Sequence, residues 1–204
     1  MGTRRYEQRQ RAEAAEQTRR RILDAVIERL RDAPSEPVSI EQIAEMADVA
    51  RSTVYAIFGS RAGLFDAVAA DILEDAAYGR LIAAKHLPDA REHMRSGFRS
   101  AAEMLATDRD IVRALFSMAQ LDEQAVGDAV RRREEERARG MARLARRLKE
   151  QDLLRPDVSV TEAGHVLWVL TSFESFDLLY TGRGLSTDAV ADLLTATAER
   201  ALLR

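Results

Sequence analysis

From Ile22 to Leu30 the apolar residues recur at helical spacing. Ile22, Leu23, Val26, Ile27 and Leu30 share one stripe, and polar residues fill the rest. This pattern predicts a first helix over about residues 18–31. "DAPSEPV" ends it, because Pro34 and Pro37 forbid continuation. Ser39 followed by Gln42 forms a capping box for a second helix, with Ile40, Ile43, Ala44 and Ala47 on one face. The apolar phase then shifts across Asp48-Val49-Ala50, and Val54, Ile57 and Phe58 define a third helix that Gly59 caps. A fourth helix runs from about Leu64 to near Arg80. A fifth starts at Pro88-Asp89 and carries Met94, Gly97, Phe98, Ala101, Ala102 and Leu105 on one face. Thr107 and Asp110 cap a short sixth, with Ile111, Leu115, Phe116 and Met118. Residues 122–152 read as a long charged seventh helix. Ser159 and Glu162 cap an eighth that reaches about Tyr180, and Ser186 caps a ninth. No strand alternation appears. The expected fold class is all-α, with about nine helices.

Composition changes this picture at one end of the chain. The 204 residues are 46% hydrophobic and 32% charged, with 4 prolines and 10 glycines, which suits a helix-rich globular protein rather than long disorder. The absence of cysteine excludes disulfides and thiolate metal sites. No apolar run is long enough for a membrane span, and no apolar segment follows the arginine-rich start, so neither membrane insertion nor a secretory signal is expected. The default location is the cytoplasm. Residues 1–21 carry seven arginines against three glutamates, a local +4 in a chain of net charge −3, so the remainder is −7. A basic arm on an acidic body fits an anionic polymer partner, although a solubilising tail would look the same. The mixed signs of "RRREEERARGMARLARRLKE" read instead as a solvated helix face with local ion pairs.

Two short helices joined by a three-residue turn have the spacing of a helix-turn-helix. Ala44 and Ala47 are small where the helices cross, and Val49 plugs the turn. Burying Val54, Ile57 and Phe58 leaves Arg51, Ser52, Thr53, Tyr55 and Ala56 at or near the outer surface. Arginine can pair with guanine, hydroxyls can bind phosphate oxygens, and alanine can touch a thymine methyl. A plain helical hairpin with a polar face is the competing reading, and the basic segment carrying Arg4, Arg5, Arg9 and Arg11 tips the balance toward DNA.

The stretch "SIEQIAEMADVARSTVYAIFGSRAGLF" resembles the N-terminal signature of TetR-type bacterial transcriptional regulators. The matching positions are Ser39, Ile43-Ala44, the turn at Asp48-Val49-Ala50, Thr53-Val54-Tyr55, Phe58, Arg61 and Leu64. The resemblance covers about residues 18–68. It departs at Asp48, where the family usually has glycine, and at Arg61, where it usually has lysine. Aspartate tolerates a left-handed backbone, and arginine keeps the charge. The resemblance implies that Ser39 and Arg61 join the DNA-contacting set. It also implies a homodimer on a palindromic double-stranded operator, released by a small-molecule effector held among the C-terminal helices. The expected division is a DNA-binding domain over 1–65 and an effector-binding and dimerisation domain over 66–204.

The eighth predicted helix is apolar almost all round, from Val166 to Leu179. A chain of this size does not easily surround such a helix, so it and the ninth are expected to form the dimer interface. Met94, Phe98, Met104, Phe116, Met118, His165, Trp168 and Phe173 are the candidates for lining a pocket for an apolar or aromatic effector. Glu162-x-x-His165 has the spacing of half a helical di-iron site. The second motif is missing and the chain has three histidines, so no metal, no cofactor and no catalytic site are expected. An architectural DNA-binding protein without an effector is the remaining alternative, ahead of a helical metalloenzyme.

Overall fold

A computed structural model of the chain describes residues 2–33, 36–72 and 76–204, without the side chains of residues 2–9, 11, 72, 76, 77, 121 and 125. Among the described residues there are eleven α-helices and one π-helical turn. The helices are α1 (Gly2–Asp32), α2 (Ile40–Met46), α3 (Arg51–Phe58), α4 (Arg61–Ile72), α5 (Ala76–Ala84), α6 (Ala90–Thr107), α7 (Arg109–Leu121), α8 (Asp128–Glu150), α9 (Val160–Leu170), α10 (Phe173–Tyr180) and α11 (Thr187–Leu202). The π-turn spans Glu123–Gly127, between α7 and α8.

The all-α expectation holds, with corrections to individual elements. The basic segment, expected as an arm, is the outer part of α1, which starts at Gly2 rather than near residue 18. Residues 3–33 contain neither proline nor glycine and are rich in alanine, arginine, glutamate and glutamine, so nothing stops the helix propagating outward from its buried stripe. The side chains of Arg4, Arg5, Arg9 and Arg11 lie outside the described residues. The eighth predicted helix divides into α9 and α10. Thr171 Oγ1 donates back to the Leu167 carbonyl at 2.8 Å, and Ser172 Oγ accepts from the Ser175 N–H at 3.1 Å, ending one helix and capping the next. The seventh predicted helix opens with the π-turn before α8 begins.

The chain forms two compact units, one of residues 1–72 with 113–130 and one of residues 73–112 with 131–204. In the first, Ile22, Leu23, Val26 and Leu30 of α1 are fully buried, as are Val38, Ile43, Leu64, Phe65 and Val68. α4 packs on the π-turn, and Val126 there is also fully buried. Arg20 of α1 reaches Asp71 at the end of α4, 2.5 Å away. Arg29, a charged residue inside this core, donates to the Ala33 carbonyl at 3.0 Å and to Glu36 at 2.7 Å, so its charge is partnered where the chain leaves α1.

In the second unit, α5 pairs with α6, α6 packs on α11, and α11 also meets α9 and α10. Met94, Phe98, Leu148, Leu167, Phe176, Val190 and Leu202 are buried there. Side chains at the end of α8 and just beyond it clasp the loop between α5 and α6. Arg147 donates to the carbonyls of Lys85 at 3.0 Å and Pro88 at 3.2 Å, and to that of Leu87. Gln151 accepts from the Ala90 N–H at 2.8 Å and donates to the Pro88 carbonyl at 2.7 Å.

Candidate nucleic-acid interface

The Ser39 hydroxyl accepts from the Gln42 N–H at 3.1 Å and opens α2 as the capping box requires. α2 ends in a left-handed residue, Asp48, with φ 52°. The Asp48 N–H donates to the Glu45 carbonyl at 3.1 Å and the Val49 N–H to the Ala44 carbonyl at 2.9 Å, the paired bonds of a Schellman closure. That closure sets the direction in which α3 starts. Ala44 and Ala47 are buried at the crossing, and Val54 anchors α3 from below at 1% exposure. Ile57 and Phe58 are half-buried, with the Arg19 guanidinium 5.8 Å from the Phe58 ring centre.

The other side of α3 faces outward. Arg51, Ser52, Tyr55 and Ala56 are exposed, and Thr53 is half-buried. Ala50 gives α3 no side-chain cap, so the N–H groups of its first turn lack that partner. Arg51 is held from two sides. Its Nη1 lies 2.5 Å from Glu41 Oε1 of α2, and its guanidinium sits 5.5 Å from the centre of the Tyr55 ring. The Tyr55 hydroxyl and then the Glu41 charge raise the guanidinium above its ordinary pKa, so it is a permanent cation. An outward cation, hydroxyls, a phenol and a methyl on one short helix can meet both phosphates and base edges.

Arg61 is turned inward. It donates to the Val38 carbonyl at 2.8 Å, pairs with Asp122 beside the π-turn, and lies 5.4 Å from the Phe65 ring centre. As placed, it fastens α4 within the first unit. Sequence reasoning also passed over Gly63. A Cβ there would sit 2.1 Å from the Phe58 carbonyl oxygen, so α3 and α4 meet where only glycine fits. The second glycine of "GSRAG" was the available signal. Glu41 carried none, because its partner lies across the turn.

The eight residues named for an effector pocket are divided between the two units. Met94, Phe98 and Phe173 are buried in the second unit, and Met104 is half-buried there. His165 and Trp168 are exposed, with Arg137 stacked 5.2 Å from the Trp168 ring centre. Phe116 and Met118 belong to the first unit. Of the eight, Phe98 alone lines the crevice among α6, α9, α10 and α11, together with Ala101, Leu105, Leu170, Phe176 and Leu194. That crevice holds about 10 Å³, room for at most one water. Among the described residues no group of three or more His, Asp or Glu side chains could hold a metal ion, and no helix is long and apolar enough to cross a membrane.

Residues 22–68 match the family model described as bacterial regulatory proteins, tetR family. No curated protein matches the chain by sequence. Solved structures share the fold over most of its length. NalD, the secondary repressor of the MexAB-OprM multidrug efflux pump in Pseudomonas aeruginosa, is 24% identical with a TM-score of 0.73, covering 94% of this chain and 98% of its own. KstR2, a ketosteroid transcriptional regulator of Mycobacterium tuberculosis, is 17% identical with a TM-score of 0.65, covering 91% and 95%. AibR, solved in complex with isovaleryl coenzyme A and operator DNA, is 16% identical with a TM-score of 0.64, covering 88% and 97%. These likenesses establish a common fold, and the match over α1 to α4 falls on the helix-turn-helix built above. Residues 22–68 therefore carry the DNA-binding region of the tetR family of bacterial regulatory proteins, and the chain around them shares the fold of solved transcriptional regulators.

Proposed function

We propose that the protein is a cytoplasmic repressor that binds a palindromic operator as a homodimer and leaves it when a small apolar or aromatic molecule binds the second unit. The outward face of α3 carries this reading. On this reading Arg51, exposed at its first position, reads a base edge, with Ser52, Thr53 and Tyr55 as phosphate contacts and Ala56 against the groove. The arginines at 4, 5, 9 and 11 lie on the outer turns of α1 and add charge without sequence information. A two-fold dimer through the C-terminal helices would present two α3 helices, and the half-sites would then be inverted repeats.

The effector half of the proposal draws on NalD, a repressor of an efflux pump, and on AibR, solved with an acyl coenzyme A and operator. A ligand can release DNA only by binding the DNA-incompetent conformation more tightly. An apolar ligand beside Phe98 would widen that crevice, since 10 Å³ admits no organic molecule. A second reading is a DNA-binding protein with no effector.

Both readings meet one experiment. Duplexes bound by the protein are selected from a random pool, and the selected duplex, labelled, is used to screen apolar compounds for release. An inverted-repeat consensus and saturable release by some compound are the expected results. A consensus without symmetry would overturn the dimeric operator, and the absence of release across the library would leave the effector-free reading standing.

A further inference from the structure

Arg51 and Glu41 are both largely exposed, at 58% and 60% of their side-chain surface, yet they meet across the turn at 2.5 Å. Nothing in the packing forces them together, because each has open solvent to extend into. Tyr55, one turn along α3, stands on the other side, with its hydroxyl 3.4 Å from Arg51 Nη2. The guanidinium is thus bracketed by a carboxylate from α2 and a phenol from α3, with other N–H donors left over for a further partner.

An acidic residue beside a DNA-reading arginine has two consequences. It weakens attraction to any phosphate, and it fixes a flexible cation in one orientation. The first lowers affinity for all DNA. The second spares the loss of rotamer freedom when the arginine meets a base edge, because planar bidentate pairing needs the guanidinium oriented. Both effects act in the same direction on discrimination.

We propose that Glu41 is a specificity-determining residue, a positioning carboxylate that holds Arg51 for a base edge and keeps it from settling on a phosphate. This rests on the reading of Arg51 as a base contact. Unrestrained, the arginine would take the nearest phosphate on any sequence. Restrained, it contributes where a matching base pair is presented.

The test measures binding of the full-length protein to a duplex it selects from a random pool and to a shuffled duplex of the same composition, across a series of salt concentrations. For Glu41→Gln, the preference for the selected duplex should fall about five-fold or more, within the range a bidentate contact supports. Its salt dependence on the shuffled duplex should steepen by about 0.9, the signature of one added phosphate contact. On an Arg51→Ala background the same substitution should change neither quantity, since Glu41 acts through Arg51. Glu41→Asp, which keeps the charge but shortens the reach, should lose preference without steepening the salt dependence, and it keeps the test open should the glutamine variant fold poorly. An unchanged preference in both Glu41 variants would overturn the proposal, as would an effect of Glu41→Gln that persists without Arg51. If Arg51→Ala itself leaves the preference intact, the base-contact reading fails, and the proposal fails with it for that distinguishable reason.

Discussion

Asp48 shows how one residue sets the direction of a helix. Its φ of 52° lies in the left-handed region, which costs a typical side chain about 1–2 kcal/mol, less for aspartate. The two N–H bonds back to Glu45 and Ala44 form only with the backbone in that conformation. Asp48→Val, β-branched, should therefore destabilise the protein by about 1–2 kcal/mol. Asp48→Gly should stabilise it by about 0.5 kcal/mol, because the relief of strain exceeds the added freedom of the unfolded chain. Thermal unfolding of the three proteins at one concentration checks the order Gly, Asp, Val. If valine were tolerated as well as aspartate, the turn would not be the rigid corner described here. Asp152, at φ 55°, closes α8 by the same pair of bonds, from the N–H groups of Asp152 and Leu153 to the carbonyls of Lys149 and Leu148.

At the scale of elements, the clasp on the loop before α6 makes the fold sensitive to acid. Arg147 Nη1 lies 2.9 Å from His93 Nδ1 while the same guanidinium holds the carbonyls of Lys85, Leu87 and Pro88. Burial, then the charges of Arg147 and Lys85, push His93 down to about 4. The unfolded chain takes up this proton near pH 6.5, the folded chain only near 4. Stability from this group is therefore complete above about pH 6.5, declines as pH falls toward 4, and changes no further below that. The carboxylates of Asp89 and Asp157, held low by hydrogen bonds from the Glu92 N–H and from Arg155 respectively, add their own loss only at lower pH, where unfolded carboxylates titrate. The interval from pH 6.5 to 5 thus isolates His93. His93→Gln, which keeps an acceptor for Arg147, should show a nearly flat urea midpoint there while the parent protein declines. Parallel curves would mean that His93 does not stay neutral in the folded chain.

What the chain's pattern revealed follows the range of the forces involved. Capping boxes and apolar stripes are local, so Ser39, Ser159 and Ser186 mark true helix starts in the structure. The break before α10 was equally local, since Ser172 stands three residues before Ser175, but the apolar residues on both sides of it, from Val166 to Leu179, masked it. The outward face of α3 followed from burying Val54. The partners of Arg51 and Arg61 did not, because Glu41 and Asp122 reach them across turns, and no local period encodes such a meeting. The division of the expected pocket residues between two units has the same origin. Methionine and aromatic residues mark apolar interior, but their type does not say which of two units encloses them.

For the whole molecule, the distribution of exposed apolar surface is the decisive quantity. Among the described residues of the second unit, the large exposed hydrophobic side chains are Trp168, Val169, Leu178 and Leu193, all on the last three helices. Leu178 is 70% exposed, although Phe173 and Phe176 of the same helix are buried. A single chain therefore leaves unburied one side of the segment whose apolar residues run all round. In a two-fold dimer through α9, α10 and α11, Leu178→Glu would place a carboxylate at the contact twice, because symmetry repeats each change on the partner. A charge buried without a partner costs about 3–5 kcal/mol. A loss of about 4 kcal/mol weakens association about a thousand-fold, enough to turn a nanomolar dimer into one that is about half dissociated at micromolar concentration. Within one protomer the same side chain meets water, so the helical signal and the thermal transition of the monomer should show a native fold. Operator binding should collapse toward that of a single head, since the second half-site is then no longer held at high effective concentration. Sedimentation equilibrium at micromolar protein and operator titrations, run on the same sample, decide the matter. If Leu178→Glu remains dimeric with full operator affinity, the interface lies elsewhere on the chain, and the exposed apolar side chains of α9 to α11 must serve another contact.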